Sequence, residues 1–200
     1  MVTLKPGCRV LHLYHPDVEF TNYVMQVQFK LQDQALFLFD ADFLDAVDTG
    51  GGRFGAMFSV SNNGYRLDKP KYLGMLVESE LIASGPLQNN PQQPFTFTLI
   101  KSGAEHYYYI NTKLLTSYVE QDSNYTGRSQ FRLGPGIEED PIEPVSIEIL
   151  GVKVWDLDTI PSAEPTGVQE DAFSSGILAK INTSPPAFED DIWDENTAWD

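Results

Sequence analysis

Cysteine is nearly absent. Cys8 is the only one in 200 residues, so no disulfide within the chain can staple the fold. Cations are scarce too: 13 Lys and Arg stand against 29 Asp and Glu, a formal net charge of −16. Nucleic-acid affinity is built by neutralising phosphates with Lys and Arg, so this balance excludes duplex binding. It equally disfavours adhesion to an anionic membrane surface. No apolar run approaches the roughly 18 residues that a spanning helix needs. Met1 to Cys8 lacks a charged segment followed by an apolar stretch. The expectation is therefore a cytoplasmic protein, or an exported one if the sequence is a piece of a longer chain. Gly-x-Ser-x-Gly, a glycine-rich phosphate loop with lysine, and Cys-x-x-Cys are all missing, and the chemistries they serve go with them.

What is present is material for a packed core: 42% of residues are apolar and 12% aromatic, which excludes global disorder. The first three-quarters of the chain reads as strands. In Tyr23–Leu31 the residues Tyr23, Met25, Val27, Phe29 and Leu31 fall on one face, against Gln26, Gln28 and Lys30 on the other, the period of a half-buried strand. Phe54 to Val60 runs into Ser61-Asn62-Asn63-Gly64, where Asn-Gly signals a hairpin turn; Tyr72 to Glu78 is the expected return strand. Phe95 to Ile100, His106 to Ile110, Leu114 to Val119, Gln130 to Leu133 and Val145 to Trp155 follow, separated by Gly, Asn and Pro turns. The single helical candidate is Asp40 to Val47, with Phe39, Phe43 and Val47 at i, i+4 and i+8. The pattern predicts an all-β, antiparallel β-sandwich over residues 1–156.

Past Trp155 the texture changes. Residues 156–200 carry 11 acidic side chains against Lys180 alone, and prolines and glycines break every periodicity. Residues 157–200 read as an extended acidic tail. Within it Phe188, Ile192, Trp193 and Trp199 are interleaved with Glu189, Asp190, Asp191, Asp194, Glu195 and Asp200. Tryptophan is a strong interface anchor, and acidic segments bearing aromatics order on basic, grooved partners. These four residues are the candidate docking set for a basic protein partner.

The order of the elements resembles the concanavalin A-like lectin/glucanase (laminin-G-like) superfamily. The resemblance is carried by the Tyr23–Leu31 strand, Arg53-Phe54-Gly55-Ala56-Met57-Phe58, the Phe95–Lys101 strand, the hairpin Tyr107-Tyr108-Tyr109-Ile110-Asn111-Thr112-Lys113-Leu114, and the closing Ile149-Leu150-Gly151-Val152-Lys153-Val154-Trp155. Thr112 stands where the superfamily hairpin usually has glycine. The resemblance implies a jelly-roll sandwich over residues 18–156. Its members include sugar-binding modules, protein-binding modules and glycoside hydrolases, so it does not choose a function.

Three constellations bear on that choice. Tyr107, Tyr108 and Tyr109, with Asn111 beyond them, are the candidate ligand-binding surface, since aromatic rings on a sandwich stack sugars or anchor a protein. Packing in a two-sheet core is the plainer explanation for most of them. Glu138, Asp140 and Glu143 form Glu-x-Asp-x-x-Glu, similar to the string of laminarinase-like hydrolases, in which one Glu is nucleophile and the other acid/base. Pro141 and Pro144 interrupt it, however, and no tryptophan precedes the last strand as a sugar platform, so an acidic loop is the simpler reading. Asp40, Asp42 and Asp45 crowd one segment and offer oxygens to calcium, against the plainer reading of a solvated helix face. His12 and His15 near Cys8 lack a fourth ligand at standard spacing. The sequence thus points to a non-catalytic recognition module for carbohydrate or protein, with no cofactor apart from a candidate calcium ion. A glycoside hydrolase using Glu138 and Glu143, and a structural or assembly protein, are the rivals.

Overall fold

The computed structural model describes residues 2–4, 13–14, 20–31, 35–43, 56–73, 76–87, 93–121, 130–136, 145–160 and 177–190. Among these residues thirteen strands run in chain order: β1 Val2–Leu4, β2 Leu13–Tyr14, β3 Tyr23–Leu31, β4 Leu36–Phe43, β5 Met57–Val60, β6 Gly64–Leu73, β7 Leu76–Pro86, β8 Phe95–Ser102, β9 Glu105–Ile110, β10 Lys113–Val119, β11 Gln130–Gly136, β12 Val145–Asp156 and β13 Phe188–Asp190. A single turn of helix, α1, covers residues 177–181. The first sheet has the order β1-β12-β3-β8-β9-β10, with β13 also on β12; the second is β2-β11-β4-β5-β6-β7. Every pairing is antiparallel. No helix among the described residues is long and apolar enough to cross a membrane.

The expected alternation packs the two sheets together. Tyr23, Met25, Val27 and Phe29 of β3 are buried in the shared core with Phe37, Phe39, Phe58, Phe95 and Phe97. Phe97 sits centrally, its ring centroid 5.1 Å from both Phe39 and Phe58 and 5.6 Å from Phe37. Aromatic rings at these spacings add to the apolar area they bury.

Two elements differ from the sequence expectation. The helix expected over Asp40–Val47 is a strand as far as Phe43, because β4 is hydrogen-bonded on both sides, to β5 and β11; residues 44–50 lie outside the described set. The strand returning from the Asn62-Asn63 turn begins at Gly64, well before Tyr72. Ser61 fixes that turn: its amide donates to the Gly64 carbonyl at 2.8 Å, and its Oγ accepts from the Gly64 amide at 3.2 Å. A Cβ on Gly64 would lie 2.7 Å from the Gly85 carbonyl oxygen, so glycine is required there.

Part of the outer face of the first sheet is also covered. Val24, Ile100, Tyr107, Tyr109 and Trp155 are buried against Ile181, with Leu157, Ile160, Ile177 and Leu178 packed alongside. The Trp155 indole N–H donates to the Ser184 carbonyl at 2.9 Å, and the Ala187 amide donates to the Val154 carbonyl at 2.7 Å. Residues 177–190 thus form a third layer and end as an edge strand on β12. Lys153 and Glu189 pair across that edge.

Polar ties join the sheets at their other end. Lys69 of β6 contacts Glu120 and the Tyr118 hydroxyl, the latter at 2.8 Å, and the Tyr118 hydroxyl donates to Glu120 at 3.0 Å. Burial lowers the affinity of Lys69 for its proton, but the hydrogen bonds to Glu120 and Tyr118 outweigh it and hold the ammonium above its ordinary value. Burial pushes the Tyr118 phenol up. Both groups bind protons more tightly folded than unfolded, so their contribution is complete below about pH 10 and is lost as pH rises further. Urea denaturation should show stability falling as pH rises above about 10, more steeply in the native chain than in Lys69→Met. At neutral pH, Lys69→Met takes the Lys69 ammonium away from the buried Glu120 and should cost on the order of 3 kcal/mol. A loss indistinguishable from zero would show the pair to be energetically idle.

The β9–β10 turn yields a second prediction. Asn111 and Thr112 have φ of 50° and 69°, the left-handed pair that a two-residue hairpin demands. The Asn111 side-chain oxygen accepts from the Thr96 amide at 2.9 Å, holding the turn against β8. A β-branched residue such as Thr112 is strained there by about 1–2 kcal/mol. Thr112→Gly should therefore raise stability by roughly 0.5–1 kcal/mol in urea denaturation, after the added freedom of the unfolded glycine is subtracted. A loss of stability would refute the strain.

Candidate functional site

The tyrosine triplet is not an exposed surface. As strand alternation requires, Tyr108 points into the core between the sheets, whereas Tyr107 and Tyr109 point the other way. All three are nevertheless buried, the last two beneath the C-terminal layer. Their rings therefore offer no stacking face, which corrects the expectation of a tyrosine ligand surface. Asn111 is exposed, but its side chain serves the hairpin turn.

The acidic candidates fare differently. Glu138, Asp140 and Glu143 lie outside the described residues. Asp40 and Asp42 are strand residues of β4, which removes the helical face expected to carry them, and Asp45 lies outside the described set. Among the described residues, no group of three or more His, Cys, Asp or Glu is placed to hold a metal. In the tail, the backbone of Phe188 is paired with Val154 of β12, so this member of the docking set is engaged within the chain. Ile192, Trp193 and Trp199 lie outside the described residues.

The remaining outer face, that of the second sheet, holds a groove of about 770 Å³. Leu36 and Leu38 of β4, Met57 and Ser59 of β5, Arg66 and Asp68 of β6, and Ser79 and Ser84 of β7 line it, with Ser61, Asn63, Gly64 and Tyr65 at the β5–β6 turn. Register explains why these residues meet. Gly134, Leu38, Ser59, Arg66 and Ser84 are successive cross-strand partners over β11, β4, β5, β6 and β7. With strands spaced about 4.8 Å apart, the row from Leu38 to Ser84 spans roughly 14 Å across the sheet. Gly134 adds no side chain at the β11 end.

The groove is apolar along β4 and the start of β5, and polar along β6 and β7. Among the described lining residues the charged element is one pair. The Arg66 Nε donates to Asp68 Oδ2 at 2.5 Å and Nη2 donates to Oδ1 at 2.7 Å, a two-toothed contact. The Asp68 side chain is 5% exposed and that of Arg66 56%, so the carboxylate is the floor and the guanidinium the surface. The chemistry this offers is hydrogen bonding from hydroxyls and a neutralised guanidinium, beside an apolar strip.

None of these residues was a candidate from sequence. The usable signal was period 2 in β6, where Tyr65 and Leu67 alternate with Arg66 and Asp68. Tyr65 and Leu67 pack on the inner core and leave the polar pair outside. What sequence could not supply was the neighbouring strands, since the partners of Arg66 are fixed by hairpin registers on both sides.

No protein-family model matches this sequence, and no curated protein matches it either. Solved structures do match in shape. A double-cysteine variant of alginate lyase A1-II′ superposes with a TM-score of 0.57 at 8% identity, covering 76% of this chain and 74% of the lyase. A Bacteroides ovatus mixed-linkage glucan enzyme of glycoside hydrolase family 16, solved with a product, gives 0.54 at 12% identity over 76% of this chain and 84% of its own. The polysaccharide lyase family 7 alginate lyase AlgAT5 gives 0.51 at 14% identity, over 76% and 75%. Identity this low establishes shape and not chemistry. The chain has the concanavalin A-like jelly-roll fold.

Proposed function

We propose that this protein is a carbohydrate-recognition module whose ligand lies in the groove on the second sheet. One observation carries the reading: the transverse row Ser59, Arg66 and Ser84, with Leu36 and Met57 beside it and Leu38 buried beneath, lines a trough across four strands. Sugars present hydroxyls around an apolar ring face, and a trough with serines on one side and aliphatic side chains on the other answers both. The structural neighbours add weight, being two alginate lyases and a mixed-linkage glucan enzyme in complex with its product.

Binding is favoured over bond cleavage for a geometric reason. Glycoside hydrolysis uses two carboxyl groups flanking the scissile bond. Among the described lining residues there is one, Asp68, and it is held by Arg66. A glycan array followed by calorimetry on the hits tests the reading. Ser59→Trp, which fills the middle of the trough from its floor, should weaken each hit at least tenfold with melting temperature unchanged. No hits, or hits indifferent to Ser59→Trp, would overturn the groove. Release of new reducing ends, abolished by Glu138→Gln or Glu143→Gln, would overturn the non-catalytic part.

We propose a second, separate surface in the tail beyond Asp190, where Ile192, Trp193 and Trp199 stand among carboxylates. Because β13 ends at Asp190, a docking segment that leaves the fold intact begins after it. Deleting residues 191–200 should abolish binding to an immobilised basic protein partner without altering the glycan hits. Unchanged binding would remove the tail from any interaction role.

A further inference from the structure

Residues 177–190 bury little of themselves. Among their described side chains Ile181 alone is buried. The cluster they help to cover is buried almost completely: Val24, Ile100, Tyr107, Tyr109 and Trp155 are each 7% exposed or less. We propose that this segment is an exchangeable strap, which closes over its own chain at low concentration and, reciprocally, over a second copy in a swapped dimer.

The strap has little stability of its own. α1 is a single turn and β13 is three residues long, and a helix this short has barely passed its nucleus. Docking holds it: the Ile181 contact, the Trp155 N–H on the Ser184 carbonyl, the Ala187 amide on the Val154 carbonyl, the Lys153–Glu189 pair and the β13 ladder. A unit with so few deep contacts opens at a lower free energy than the sheets that carry it. Opening lifts Ile177, Leu178 and Ile181 off the aromatic cluster and takes β13 from the edge of β12. An apolar face beside an uncovered strand edge is a docking site for whatever fits it. What fits is the strap itself, and every copy of the chain carries one.

The connection gives the strap its reach. Ile160 and Ile177 pack against the same apolar cluster, yet sixteen residues, 161–176, join them in sequence. Connections in compact domains run mostly to about 4–6 residues. Sixteen residues fully extended span roughly 55 Å, more than two points on one cluster require and enough to reach a neighbour. The docking contacts are the same in both arrangements, so concentration decides between them. A tether gives the strap an effective concentration of roughly millimolar order at its own face, which keeps a dilute chain closed on itself. The formal charge of −16 opposes the approach of a second copy, and salt relaxes that opposition.

The exchange is read by mixing two full-length chains. The acceptor carries Lys153→Cys on β12 and the donor Glu189→Cys on β13. These positions are cross-strand partners, and both side chains are partly exposed, so neither change enters the core. Linkage is scored by mass mapping as the disulfide joining positions 153 and 189 of different chains; Cys8 is common to every mixture. At about 1 mM, near the effective concentration of the tether, this disulfide should form at least fivefold faster than the one joining the donor to a chain carrying Ser117→Cys, an exposed position on β10. Added salt should quicken it. Ile181→Ser in the acceptor weakens the competing strap and should speed linkage at least threefold, whereas Ile181→Ser in the donor should slow it by as much. A rate no greater than the Ser117→Cys control would overturn the proposal. So would a rate raised by Ile181→Ser in either chain alike, which would report general unfolding. If Ile181→Ser lowers the melting temperature of the whole chain, the partly buried Ile177 is changed instead, as Ile177→Ser, with the same two expectations.

Discussion

A β-strand sends successive side chains to opposite faces, and β9 places three tyrosines in succession. At least one must then point away from the inter-sheet core. Tyr108 takes the core between the sheets, and Tyr107 and Tyr109 take the other side. Two large aromatic faces turned outward would leave an apolar patch of the kind that soluble proteins cover or use. This chain covers it, with Ile177, Leu178 and Ile181 from a segment lying some seventy residues further along. The three-layer arrangement follows from that one strand. The groove lies on the outer face of the other sheet.

Each sheet consequently has a different outer chemistry, although both share one inner core. The first carries an apolar outer cluster, covered by residues 177–187 and tied down by hydrogen bonds from Trp155 and Ala187. The second is apolar along β4 and polar along β6, where Arg66 and Asp68 face away from Leu67 and Tyr65 on the same strand. Phe97, central in the core and in ring contact with three second-sheet phenylalanines, fixes the distance between the layers. The groove is therefore built on strands that are rigidly backed, which is the condition for hydrogen-bonding side chains to keep their positions without ligand.

Much of the fold was legible because its signal is local. β3, β8, β9, β10 and β12 announce themselves by alternation and by turn residues at their ends, and the jelly-roll resemblance orders them correctly. β4 was misread because Phe39, Phe43 and Val47 fit a helical spacing by coincidence, while its real pattern reads as a nearly continuous apolar run at its start. Hydrogen-bonded neighbours on both sides decided the matter, and such neighbours are invisible from within the segment. The candidate site was less legible for a related reason. A triplet of tyrosines looks like a surface when its cover lies in a distant stretch broken by prolines. Serines and a lone arginine look like nothing until register brings Leu38, Ser59, Arg66 and Ser84 into line.

Trp155 shows how the two parts of the chain depend on one another. From sequence it closes the last strand of the sandwich and appears to mark where structure stops. In the fold its ring lies in the second apolar cluster and its N–H donates to Ser184, so the same residue that ends the sandwich begins the layer that seals it. The edge of β12 tells the same story. Its first residues pair with β1 and its later ones, Val152 to Val154, pair with β13, so strands from opposite ends of the sequence share one edge. An unpaired edge of twelve residues would invite other chains to add to it. Closing it from within, by β1 on one stretch and β13 on another, takes away that invitation.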